Sequence, residues 1–176
     1  GSGELDNGMN VSLSFIQDHA TATFDNHSVS VSRDDFGTLV LHGVGGGSAT
    51  SAMDATAAGN LWDTFDATGL ATGVTHTNTA PGTNAFMYTA PELMDGVALN
   101  ISYEPQASGN TNDSGMGWSV TYTGVEGLTA IYSISDEVGT TSALSGEQTA
   151  WKLAYVYGSI TATATGSDFD VQTASS

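Results

Sequence analysis

Across 176 residues there are 19 acids against two bases, a formal charge of −17, so nucleic acid and anionic lipid surfaces are poor partners on electrostatic grounds. Charged residues make up 12% of the chain and apolar ones 39%, yet no run of about 18 apolar residues offers a membrane-spanning helix. The absence of cysteine excludes a disulfide scaffold and thiolate metal sites.

The length suits one domain covering 1–176. Its opening, GSGELDNGMN, has neither a basic n-region nor an apolar h-region, so the chain is expected to be mature, tagged or an internal portion. Period-2 alternation bounded by turn residues then predicts nine strands. After an Asp6-Asn7-Gly8 turn signal the first runs from 9 to 16, with Val11, Leu13 and Phe15 on one face and Ser12 and Ser14 on the other. A loop over 17 to 27 leads to strands 28 to 34 and 36 to 43, joined tightly at Asp34-Asp35, with Val29, Val31, Leu39 and Leu41 opposite Ser28, Ser30 and Ser32.

A very long connection follows, from 44 to 83. Its start, GVGGG at 43 to 47, lets the chain bend away from its strand, and SAMDATAAGNLWDTFDA at 51 to 67 is expected to hold a turn or two of helix. Strands 84 to 90 and 97 to 104 flank a short turn containing Asp95-Gly96. One face carries Phe86, Tyr88, Val97, Leu99, Ile101 and Tyr103, the other Ala98, Asn100 and Ser102, with Glu104 closing the second strand.

A polar loop over 105 to 115 precedes strand 116 to 123, whose faces are Met116, Trp118, Val120 and Tyr122 against Gly117, Ser119, Thr121 and Thr123. The turn at 124 to 127 returns into 128 to 135, with Leu128, Ala130, Tyr132 and Ile134. A long loop over 136 to 148 then leads to the final hairpin, 149 to 157 and 159 to 166, turning at Gly158-Ser159. There Trp151, Leu153, Tyr155 and Tyr157 alternate with small residues and Lys152, while Ile160, Ala162 and Ala164 alternate with threonines.

Short and long connections alternate without exception. In an up-and-down meander every second connection lies at the same end, so one rim is trimmed to tight turns and the other carries the long loops. The acids fall in loops, turns or strand ends, which leaves the strand centres nearly uncharged. On the apolar face Tyr88, Tyr122, Tyr155 and Tyr157 sit near short turns, and Tyr103, Trp118 and Trp151 near long loops. Two girdles of Tyr and Trp around an apolar band match the two interfaces of a bilayer, so the fold expected is an all-β antiparallel transmembrane barrel with its apolar face against lipid. A soluble acidic β-sandwich, an adhesin or surface-layer domain, shares the alternation and is the competing class.

Catalysis finds no constellation. His19, His27, His42 and His76 lack ligand-like spacing, and neither a Ser-His-Asp elbow nor a phosphate-binding loop occurs, so the chain is not expected to be an enzyme or to hold a cofactor. Asp63 and Asp66, with Asp54, offer oxygen ligands that Ca²⁺ could take from a flexible loop, but acids in such loops are more often solvated.

Three stretches, LDNGMNVSLSF, RDDFGTLVLHG and NAFMYTAPELMDGVALNISYEP, resemble the corresponding turn-and-strand segments of general bacterial outer-membrane porins of the marine and photosynthetic proteobacterial type. That resemblance implies a homotrimeric, water-filled barrel of about 16 strands for passive diffusion of small polar solutes. It places the third long loop, here 45 to 83, inside the lumen, with Asp54, Asp63 and Asp66 at the constriction. Asn100, Ser102, Glu104, Ser119, Thr121 and Lys152 then line the pore. Basic wall residues are nearly missing, which predicts a preference for cations. Nine strands are odd and too few for such a barrel, so the chain is expected to be a portion of one.

Overall fold

The computed structural model of the chain describes residues 1–17, 26–44, 46–50, 84–105, 114–137 and 146–171. They form ten strands: β1 (Ser2–Glu4), β2 (Asn10–Phe15), β3 (His27–Arg33), β4 (Gly37–Val44), β5 (Ala85–Thr89), β6 (Val97–Glu104), β7 (Gly115–Tyr122), β8 (Leu128–Glu137), β9 (Gly146–Tyr157) and β10 (Ile160–Val171). They make a single sheet in strict chain order, each strand antiparallel to the next, with β1 and β10 at its edges. Among the described residues no helix is long and apolar enough to cross a membrane, a statement that does not bear on strands.

Nine strands fall where alternation puts them, and the count is corrected to ten by β1. Its sequence, SGE, is short and exposed and has no apolar alternation to mark it; pairing with Asn10, Val11 and Ser12 is what makes it a strand. The last strand also runs past residue 166 to Val171, paired with β9 as far as Gly146. Gly166, Ser167 and Asp168 look like a turn signal in isolation, but the ladder continues through them.

Turn chemistry fixes the short rim. Gly37 has φ 84° and closes the β3–β4 turn, where a Cβ would come within 2.8 Å of the Pro91 nitrogen. Gly96 has φ 73°, a left-handed conformation that side chains rarely adopt, at the entrance to β6. The connections 5–9, 34–36, 90–96, 123–127 and 158–159 lie at this rim, and all four long ones lie at the other.

Which face is covered is the informative feature. Leu13, Phe15, Leu41, Phe86, Tyr103, Met116, Tyr132, Trp151, Leu153 and Tyr155 are each 40–58% exposed. On the opposite face Ser102, Ser119, Ser133 and Ser135 are at most 1% exposed. A sheet of a soluble sandwich hides its apolar side and wets its polar one; here the relation is inverted. The buried apolar set among the described residues is correspondingly slight: Ala49, Ala85, Ile131 and Ala150.

Candidate functional site

Two surfaces need an account: the apolar outward face and the polar inward one. On the outward face Leu13 starts a cross-strand row that runs through Val29, Leu41, Phe86, Tyr103, Met116, Asp136 and Glu147 to Asp170. The row begins at the centre of the apolar residues of β2 and ends among acids. On β10 the apolar centre is Ala162, so the band has slipped eight residues, from Asp170 to Ala162, over the eight strand steps from β2.

One residue per strand fixes a tilt. With a rise of about 3.3 Å per residue and a strand spacing of about 4.8 Å, a level band that slips by one residue at each step requires strands inclined by about 35°. Membrane barrels incline theirs by about 35–45°. The same slip carries the aromatics along. Phe86 and Tyr103 share one row, Trp118 lies one row lower, and Tyr132 and Trp151 share the next, so that this girdle descends across the sheet in register steps and stays level in space. Trp118 packs on Tyr132 with ring centroids 5.8 Å apart.

The other girdle lies towards the short turns. Tyr88 donates its hydroxyl to the Phe36 carbonyl in the β3–β4 turn at 2.6 Å, and the two rings meet edge-on. The Tyr122 ring lies over Gly124, and Tyr155 and Tyr157 stand exposed beside the β9–β10 turn. Arg33, at the same rim, binds Asp35 through both carboxylate oxygens. That hydrogen-bonded guanidinium holds the Asp35 carboxyl below the usual carboxylate range.

The inward face gathers the residues expected to line a lumen. Asn100 and Ser119 are register partners, flanked in their row by Thr89 and Ser133, and Asn100 accepts a hydrogen bond from the Thr89 hydroxyl at 2.8 Å. Ser102 pairs with Gly117, which in turn faces Ser135 and then Gln148. Thr121 is linked through Ile131 to Lys152, and Glu104 stands opposite Gly115 towards the long-loop rim. Farther along the face the hydroxyls of Ser12 and Ser30 meet at 2.6 Å. Ser133, Ser135 and Gln148 belong to this surface too; their parity with Thr129 and Ala150 marks them, but apolar alternation draws the eye to the other face of β8.

The chain beyond β4 turns onto this same inward face. The backbone of Ala49 is held on both sides: its N–H donates to the Ser102 hydroxyl at 3.0 Å, and its carbonyl accepts from the Ser119 hydroxyl at 2.5 Å. Ser48 and Thr50 bond each other at 2.7 Å, and all three residues are at most 2% exposed. Ala85, on the strand crossed between β4 and β6, is fully buried. The start of the long β4–β5 connection therefore runs inward along the wall. Asp54, Asp63 and Asp66, and the helix expected over 51–67, lie outside the described residues. Among the described residues no group of three or more acids and histidines is placed to hold a metal ion.

The whole chain, residues 1–176, matches a family described as Gram-negative porin. No curated protein matches it.

Proposed function

The chain belongs to the Gram-negative porin family, channel proteins of the bacterial outer membrane rather than enzymes, and on that premise we propose that its inward face lines a water-filled pore for passive diffusion of small polar solutes, cations in preference to anions. The observation that carries this is the inverted burial: hydroxyls, Asn100 and glycines face inward, and large apolar side chains face out. A wall of Ser, Thr and Asn hydrogen-bonds water without binding any one solute tightly, as a pore that must release its cargo requires.

Cation preference is supported by charge. Lys152 is the one base with inward parity, Arg33 is engaged with Asp35 at the rim, and 19 acids stand against those two residues. The loop carboxylates Asp54, Asp63 and Asp66 would add to the preference if they face the constriction, as the family resemblance implies. Assembly as a homotrimer rests on that resemblance alone. Binding of Ca²⁺ by Asp63 and Asp66 is tested by calorimetric titration, in which absence of heat disposes of it.

The channel is tested by the reversal potential of the full chain in a planar bilayer under a KCl gradient. A potential on the K⁺ side is expected, and Lys152→Gln should move it further the same way. An anion-selective parent would overturn the cation preference, and absence of conductance would overturn the pore.

A further inference from the structure

The inward course of the chain after β4 depends on a particular contact. We propose that Ser102 and Ser119 are positioning residues that clip the Ala49 backbone to the wall of the pore and thereby set its free cross-section. The proposal rests on the channel function above for its last step only.

A residue has one backbone donor and one backbone acceptor, and those of Ala49 are each taken by a different strand: the donor by Ser102 on β6, the acceptor by Ser119 on β7. Both hydroxyls are essentially without solvent exposure, as is Ala49. Unmade, either bond would leave a buried backbone group unsatisfied, which costs more than the made bond contributes. The clip also needs room. Gly117 is the register partner of Ser102 and lies two residues before Ser119, so the Ala49 backbone crosses the wall where it has no side chain. Gly115 and Ala85 continue the shallow track, and both are buried. Towards β4 the backbone of Gly46 lies against His42, where a Cβ would come within 2.6 Å of the His42 Cβ.

Small residues at Ala85, Gly115 and Gly117 let the segment lie flat, and the two serines hold it there. Once released, the segment would occupy the lumen and reduce the open cross-section. Ser135 provides a matched control. It is fully buried on the same inward row as Ser102 and Gly117, and among the described residues its hydroxyl has no hydrogen-bond partner.

The chain has no cysteine, so Ala49→Cys supplies a single thiol at a buried position whose backbone keeps the clip. The rate at which a membrane-impermeant maleimide labels it, in the full chain reconstituted in vesicles, reports the detached population. Labelling is expected to be slow in that background. It should accelerate at least about five-fold with either Ser102→Ala or Ser119→Ala, because the lost bond strands a buried backbone group. The two effects should not combine additively, because both hydroxyls hold the backbone of one residue.

Ser135→Ala should leave labelling unchanged, and Ser119→Thr, which keeps the hydroxyl, should keep it slow. In planar bilayers, brief downward excursions of the open-channel current should become more frequent in the two alanine variants and not in Ser135→Ala. Fast labelling in the parent, or equal acceleration by Ser135→Ala, would overturn the clip. Accelerated labelling with unchanged current would overturn its role in the cross-section. A parent that conducts nothing would overturn the channel itself, while the labelling rates would still decide whether the serines hold Ala49.

Discussion

Leu13 and Met116 stand in one cross-strand row, five strand steps apart, and their side chains are 47% and 52% exposed on the outward face. They should nevertheless respond very differently to a charge. A row perpendicular to strands tilted by about 35° climbs by about 2.7 Å per step at a strand spacing of about 4.8 Å. Met116 therefore lies about 14 Å nearer the long-loop rim than Leu13, roughly half the height of an apolar belt of about 25 Å. Arginine at the middle of such a belt costs about 2–4 kcal/mol, and near its edge about 0–1 kcal/mol. Leu13→Arg is expected in the first range and Met116→Arg in the second. Reversible urea unfolding of the full chain from phospholipid vesicles measures both. Equal and large costs would refute the tilt, and small costs at both positions would refute the lipid belt.

Three further outcomes follow from side chains and their partners. Ser119→Ala leaves the Ala49 carbonyl without its donor in a buried site and should cost about 1–3 kcal/mol in the same unfolding assay, whereas Ser135→Ala removes a hydroxyl that bonds none of the described residues and should be neutral or slightly stabilising. Gly166→Leu would place a Cβ within 2.6 Å of the Trp151 indole nitrogen, so the ring must leave its cross-strand glycine; a loss of about 1–3 kcal/mol is expected, with a shift in emission when Trp151 is the sole tryptophan. Asp35, lowered by its hydrogen bond to Arg33, should titrate below the usual carboxylate range in a carboxyl-carbon NMR experiment, and Arg33→Gln should return it upward. The sign follows from linkage: the pair favours the folded chain above the ordinary carboxylate pKa and loses that contribution as pH falls through the folded value, an effect kept small by the exposure of both groups.

Much of the fold was legible because a strand announces itself through side chains that alternate between unlike media. Val97, Leu99, Ile101 and Tyr103 against Ala98, Asn100 and Ser102 is such a signal, and Gly37 and Gly96 mark turns whose backbone demands them. The same reasoning explains the misses. β1 is three exposed residues with no apolar side chain, and Gly166-Ser167-Asp168 reads as a turn signal, so alternation marks neither SGE nor the stretch after Gly166, and only their ladders reveal them. The residues that share the polar face of β6 and β7 could be named from parity. Their pairing with Ala49, separated from Ser102 by 53 residues and from Ser119 by 70, could not, because a backbone group that bonds a serine leaves no mark in the identity of its own side chain.

The inward glycines and serines therefore meet two physical requirements at once, and this is why they resist simple interpretation. A pore wall facing water needs polarity without charge, which Ser and Thr supply. A wall crossed by its own chain needs low relief and hydrogen-bond partners for a peptide lying on it, which Gly117, Ser102 and Ser119 supply. Composition cannot separate the two requirements, since both select small residues. Burial separates them: Asn100 and Thr121 remain partly accessible, whereas Ser102 and Ser119 are sealed, so the first pair is open to solvent and the second faces the chain.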